Sequence, residues 1–143
     1  MITTDLKADG VRWDLSFMYS GVDDPQIDRD MADYVALAKK FNADYKGKLN
    51  EKLGIAIADC ATLEMLSHKI GIYMFLRQSL DVAEGKGKAK IAALDQIFSA
   101  TDGQYMTFFG LEIKDIPDDV LTKLYTTDPV VLRHRPWLSH IRL

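Results

Sequence analysis

Cysteine is almost missing from this sequence. Cys60 is the only one among 143 residues, so no internal disulfide can form. Its setting among apolar residues near a helix start fits a buried thiol in a reducing compartment. A basic excess is missing too: the formal net charge of −3 lacks the cationic surplus of a nucleic-acid-binding domain, so nucleic acid is not expected as a partner. No long apolar run occurs. The longest, Ile70 to Leu76, stops at Arg77 and falls far short of the roughly 20 residues a membrane span requires. The opening Met1-Ile2-Thr3-Thr4-Asp5-Leu6-Lys7 lacks an apolar stretch after a basic start, so no signal peptide is expected. These absences point to a soluble cytoplasmic protein without membrane contact.

Hydrophobic residues make up 48% and charged residues 27%, ordinary globular usage that indicates neither disorder nor a fibrous repeat. A chain of 143 residues fits one domain and buries roughly 70% of the surface its unfolded form exposes. The stretch Asp59 to Leu80 is the organising one. Leu63, Leu66, Ile70, Tyr73, Leu76 and Leu80 recur in steps of three and four, the period of a helix and not of a strand. Around Ile70 to Leu76 the stripe widens into an apolar girdle, which predicts a helix enclosed by others.

Residues 1–23 carry Trp13, Leu15, Phe17, Met18 and Tyr19 without periodicity and read as an extended arm packed on a bundle. Asp24-Pro25 then starts a helix, with an acceptor at the N-cap and proline where its missing N–H costs nothing. Ile27, Met31, Tyr34, Ala38, Phe41 and Tyr45 form its buried stripe, and Gly47 suits a left-handed C-cap. From Lys48 to Ala58, Gly54-Ile55-Ala56-Ile57-Ala58 alternates weakly, has no second strand to pair with, and reads as a connector. Gly85-Lys86-Gly87-Lys88-Ala89-Lys90 reads as a flexible basic loop feeding a third long helix marked by Ile91, Leu94, Phe98, Tyr105, Phe108 and Glu112. Gly103 and Gly110 inside it either allow close helix contact or mark a bend. Ile116-Pro117-Asp118-Asp119 opens a short helix, Asp128-Pro129 repeats the earlier start signal, and Pro136 forces a new helix bearing Trp137, Leu138 and Ile141. No C-cap or polar tail precedes Leu143, so more chain is expected beyond it. The fold class expected is all-α: an elongated bundle of three long helices plus shorter C-terminal ones, spanning 24–143.

The residues that carry chemistry form no working set. His68, His134 and His140 lie in no H-E-x-x-H, and neither the His134/His140 nor the Cys60/His68 spacing suits a zinc site. No metal ligands are therefore assigned. Gly85-Lys86-Gly87-Lys88 lacks the P-loop pattern and the strand that should precede it. Asp23, Asp24, Asp28 and Asp30 gather at a helix start, where the dipole favours negative charge, and need no catalytic explanation. G-x-S-x-G is missing. Arg77 interrupts the girdle and must reach a carboxylate, a carbonyl or a solvent-filled groove, with a structural ion pair as the default and peptide contact as the sharper alternative. No catalytic residue is assigned in this chain, and its substrate-binding residues stay unspecified.

The segment Trp13-Asp14-Leu15-Ser16-Phe17-Met18-Tyr19, followed by Asp23-Asp24-Pro25-Gln26-Ile27 and Asp30, resembles the opening of the oligoendopeptidase F family, zinc metallopeptidases related to thimet oligopeptidase. Such openings read approximately W-x-L-S-D-L-Y, a short gap, then D-D-P and a helix. The likeness runs on thinly through Phe41, Tyr45, Gly47, Leu49, Tyr73, Leu76, Ser79, Asp81, Phe108, Phe109 and Leu111. Phe17 stands where the family has an acidic residue, and Asp81-Val82-Ala83-Glu84-Gly85 lacks its threonine-rich continuation. The resemblance implies the N-terminal helical domain of a longer enzyme that hydrolyses short peptides in a deep channel. It further implies zinc held by an H-E-x-x-H helix and a further glutamate, the metal activating water and the motif glutamate acting as base. All of these would lie outside this chain. The expected partners are an oligopeptide substrate and the missing catalytic domain, and an apolar face left for that domain would allow self-association.

A free-standing helical module holding a protein partner is the alternative from another class. A small bundle enzyme with a metal between its helices would need repeated Glu-x-x-His pairs, which the sequence lacks.

Overall fold

The computed structural model describes residues 14–80 and 85–143; Trp13 and Asp81, both named above, lie outside that set. Among the described residues there is no strand, and the chain is an all-α bundle. Its elements are α1 (Pro25–Tyr45), α2 (Leu49–Leu80), α3 (Gly85–Thr101), a π-helical turn (Asp102–Met106), α4 (Thr107–Asp115), α5 (Asp118–Thr127), α6 (Pro129–Arg133) and α7 (Arg135–Ile141). With α3, the π-turn and α4 taken as one interrupted rod, three long helices carry the fold and three short ones follow.

The local start signals work as their chemistry demands. The Asp24 carboxylate accepts the backbone N–H of Gln26 at 2.9 Å and that of Ser20 at 2.8 Å, and Pro25 occupies the first helical position. Asp128 does the same for α6, accepting from the N–H of Val130 at 2.9 Å. Gly47 takes φ +75° after α1, the left-handed conformation glycine adopts without a Cβ penalty. Its N–H donates to the Glu112 carboxylate at 2.9 Å, tying the end of α1 to α4.

The core runs along the α1–α2 seam and continues under α4 and α7. Ile27, Leu53, Ile70, Tyr73, Ile113, Val131 and Leu138 are fully enclosed. Phe41 is central to an aromatic cluster, lying 4.9 Å from Tyr45 and 5.1 Å from Phe109 between ring centroids. At the far end, the Arg142 guanidinium donates to the carbonyls of Ile113 and Ile116 at 2.8 and 2.7 Å and pairs with Asp118. Those carbonyls close α4, so this side chain supplies the partners a helix terminus leaves unmet.

Three sequence expectations need correction, and an alternative left open at Gly103 is resolved. Residues 48–58 are no connector: α2 begins at Leu49 and runs through Gly54 to Ile57 as helix. Leu49, Leu53, Ala56, Ile57 and Cys60 are all buried, a helical stripe that the glycine and the Ile-Ala alternation disguised. The irregularity is confined to Lys52, at φ −121°, ψ 16°. Gly85 to Lys90 is not a loop either, because helix α3 starts at Gly85. The third rod is broken by the π-turn at Gly103, where a Cβ would meet nothing within 4 Å, so this glycine marks the irregular turn and not a close contact. Finally, the girdle of α2 is not enclosed. Ile70, Tyr73 and Met74 are buried, but Met65, Ile72 and Phe75 are 74%, 51% and 68% exposed, because nothing among the described residues covers that side of α2. No helix among the described residues is long and apolar enough to cross a membrane.

Candidate functional site

The residues singled out for chemistry are scattered. His68 and His140 are exposed on α2 and α7. His134, half-buried between α6 and α7, engages the Val130 carbonyl through Nδ1 at 2.8 Å and sets its ring edgewise to Trp137. No three His, Cys, Asp or Glu side chains among the described residues come together as a metal-holding group. The acidic cluster of the first helix divides by role. Asp23 is exposed, Asp24 caps α1, Asp28 pairs with Lys90 of α3, and Asp30 is buried. Arg77 is half-buried and borders a cavity of about 400 Å³ together with Ser20, Asp24 and Gly87. The glycine-lysine stretch that begins at Gly85 is helical backbone, which leaves no room for a phosphate cradle of the P-loop type.

Asp30 is the most elaborately held charge. Its carboxylate accepts from Tyr19 Oη at 2.6 Å, Gln26 Nε2 at 2.6 Å and Lys69 Nζ at 2.8 Å. Lys69 also lies 4.8 Å over the Tyr19 ring, and Tyr19 stacks edgewise on Tyr73 at 4.9 Å. Burial pushes the Asp30 carboxyl up, but the bonds from Lys69, Tyr19 and Gln26 together outweigh it and hold it below the usual carboxylate range. This cluster fastens the arm to α1 and α2. Its carboxylate is met by three donors within the cluster.

The place with room for a ligand lies on the other side of α2. A cavity of about 380 Å³ opens between α1, α2, the π-turn, α4 and α7, with Tyr34, Cys60, Glu64, Asp102, Phe109 and Trp137 among its walls. A second cavity, of about 270 Å³, shares Cys60, Glu64 and Trp137 with it and reaches His134. The two form one groove along the flank of α2. The π-turn sets one end, since it turns Asp102 to accept the Tyr34 hydroxyl. Trp137 stacks at 6.2 Å on Phe109, giving the groove an aromatic wall.

Electrostatics hold the thiol and the phenol of the groove in their protonated forms. Burial, aided by the negative charges of Glu64 and Asp102, pushes the Cys60 thiol up to about 12. Burial and then the bond to Asp102 raise the Tyr34 phenol likewise. Both groups keep their protons at neutral pH. Cys60 in the folded chain should therefore react with iodoacetamide at pH 8 at least about a hundredfold more slowly than in urea, measured by mass spectrometry.

Of these features the sequence marks Cys60 and His134 as candidates for chemistry, and Tyr34 and Trp137 only as parts of apolar helix faces. Glu64 and Asp102 carry no local signal, and no spacing links Tyr34 to Asp102 across the 68 positions that separate them. No protein-family model, curated protein or solved structure matches this chain.

Proposed function

We propose that this chain is the helical N-terminal domain of a zinc-dependent oligoendopeptidase, part of the wall of a channel that admits short peptides. The observation that carries the reading is the role of the residues behind the resemblance. In the segment from Leu15 to Pro25, Leu15 and Tyr19 are buried, Tyr19 bonds to Asp30, and Asp24-Pro25 starts α1. The family-like residues are therefore those that fix the arm to the bundle, as expected if they encode a shared architecture. Hydrolysis and zinc binding are assigned to residues of the parent enzyme outside this chain.

The test uses two proteins, this chain and the full product of its gene. With a quenched oligopeptide and added zinc, this chain should give no cleavage, whereas the full product should cleave and lose activity to a chelator. Chelator-insensitive cleavage by this chain would overturn the reading. The exposed Met65, Ile72 and Phe75 favour a second reading, a helical module that holds a protein partner on the open side of α2. A full gene product without zinc-dependent hydrolysis would favour that one.

A further inference from the structure

The groove between α2, the π-turn and α7 has a charge pattern that its structural roles do not explain. Two of its walls carry carboxylates, Glu64 and Asp102, and the residues lining its two halves include no lysine or arginine. Carboxylates elsewhere on the bundle meet cations or backbone N–H groups: Asp28 and Asp118 have cations, Asp24 and Asp128 have helix N–H groups, and Glu112 has the Gly47 N–H. In the groove, Asp102 accepts only a neutral phenol, and Glu64 faces the Cys60 sulfur at 4.0 Å. Beside these acids stands an aromatic wall, Trp137 on Phe109, with indole the best of the side-chain rings at attracting a cation. The acidic end is shaped by the π-turn, an irregularity of a kind found preferentially at functional positions.

We infer that this groove binds an organic ammonium ion carried on an apolar body, with Glu64 and Asp102 facing the charge and Trp137 and Phe109 flanking the body. Charge sets the sign of the ligand, because an anion would meet two carboxylates and no lysine or arginine of the lining. A volume of about 380 Å³ takes an aromatic amine or one lysine side chain, within the range of small-ligand pockets. Behind burial, which is the main cause, the charges of Glu64 and Asp102 both add to the upward shifts of the Tyr34 phenol and the Cys60 thiol. The inference is independent of the peptidase reading, since neither zinc nor hydrolysis enters it.

The test titrates the full 143-residue chain with 2-phenylethylammonium, 2-phenylethanol and phenylacetate, following the Trp137 indole N–H by heteronuclear NMR. The ammonium should shift that signal saturably, at least roughly tenfold more tightly than the alcohol, with phenylacetate not binding. Glu64→Gln and Asp102→Asn should each weaken binding about three- to tenfold, and higher ionic strength should weaken it further. Glu64 is exposed on α2, so its substitution leaves the fold intact. A capped Phe-Lys dipeptide separates the sources: binding of both probes assigns the groove to lysine side chains of peptides, and binding of the amine alone assigns it to small amines. Equal affinity for ammonium and alcohol, or no saturable shift with either cation, overturns the inference.

Discussion

Asp30→Ala should destabilise the chain by about 3 kcal/mol, measured by urea denaturation. The carboxylate is buried and accepts three hydrogen bonds, so its removal leaves the Tyr19 hydroxyl without its partner and strands the Lys69 ammonium. Breaking a buried pair by deleting one member usually costs about 3–5 kcal/mol. The Lys69 side chain is 44% exposed and keeps part of its hydration, which holds the effect to the lower end. Asp30→Asn retains an acceptor oxygen and should lose about half as much. The pair of variants also separates charge from shape through pH. Because the folded chain holds the Asp30 carboxyl below its ordinary value, this group's stabilisation is complete above an unfolded value of about 3.9 and is lost as pH falls through the lower folded value. The wild type should therefore weaken below about pH 4 more steeply than Asp30→Asn, whose residue 30 carries no titrating proton. Parallel acid profiles for the two would mean that Asp30 contributes shape alone.

Gly54→Ala should cost about 2 kcal/mol, although alanine is the better helix former by about 1 kcal/mol. The reason sits across the α2–α6 contact. A Cβ at position 54 would lie 2.0 Å from Asp128 Oδ2 and 2.6 Å from its Cγ, which is the space the carboxylate itself occupies. The short Asp128 side chain cannot swing aside and still accept from the N–H groups of Val130 and Val131, so the substitution removes the cap of α6 and strains the seam. A double-mutant cycle isolates this cause. In the Asp128→Ala background the clash is relieved, and Gly54→Ala should become neutral or stabilising by up to about 1 kcal/mol. Additive costs in the cycle would place the penalty elsewhere in α2.

Gly54 also marks where a sequence reading parts from the folded chain. Taken locally, a glycine before an Ile-Ala-Ile-Ala alternation looks like a break. In the structure it is a buried helical position whose missing side chain admits a carboxylate from α6. The glycine serves a contact with a residue far along the chain, and no window of neighbours contains that information. The girdle of α2 failed in the opposite direction. Apolar residues on every side predict enclosure only if enough other helices exist to surround the rod, and here Met65, Ile72 and Phe75 face outward. The acidic cluster at the first helix reads from the sequence as one group answering the helix dipole, whereas the structure gives its members separate partners, with Asp30 anchoring the arm through Tyr19 and Lys69.

The proline-marked starts of α1, α5, α6 and α7, the αL turn at Gly47, the stripe of α1 and the all-α class were legible from residues alone, because each depends on groups within a few positions: an Asp oxygen reaching an N–H two residues on, a proline ring restricting φ, a 3.6-residue repeat. The groove was not. Tyr34, Glu64, Asp102 and Trp137 come from separate helices, and their meeting depends on how α1, α2 and α7 pack and on the π-turn that aims Asp102. Packing of that kind sums many weak contacts over the whole core, so a change in any one helix alters it, and only the assembled chain contains the answer.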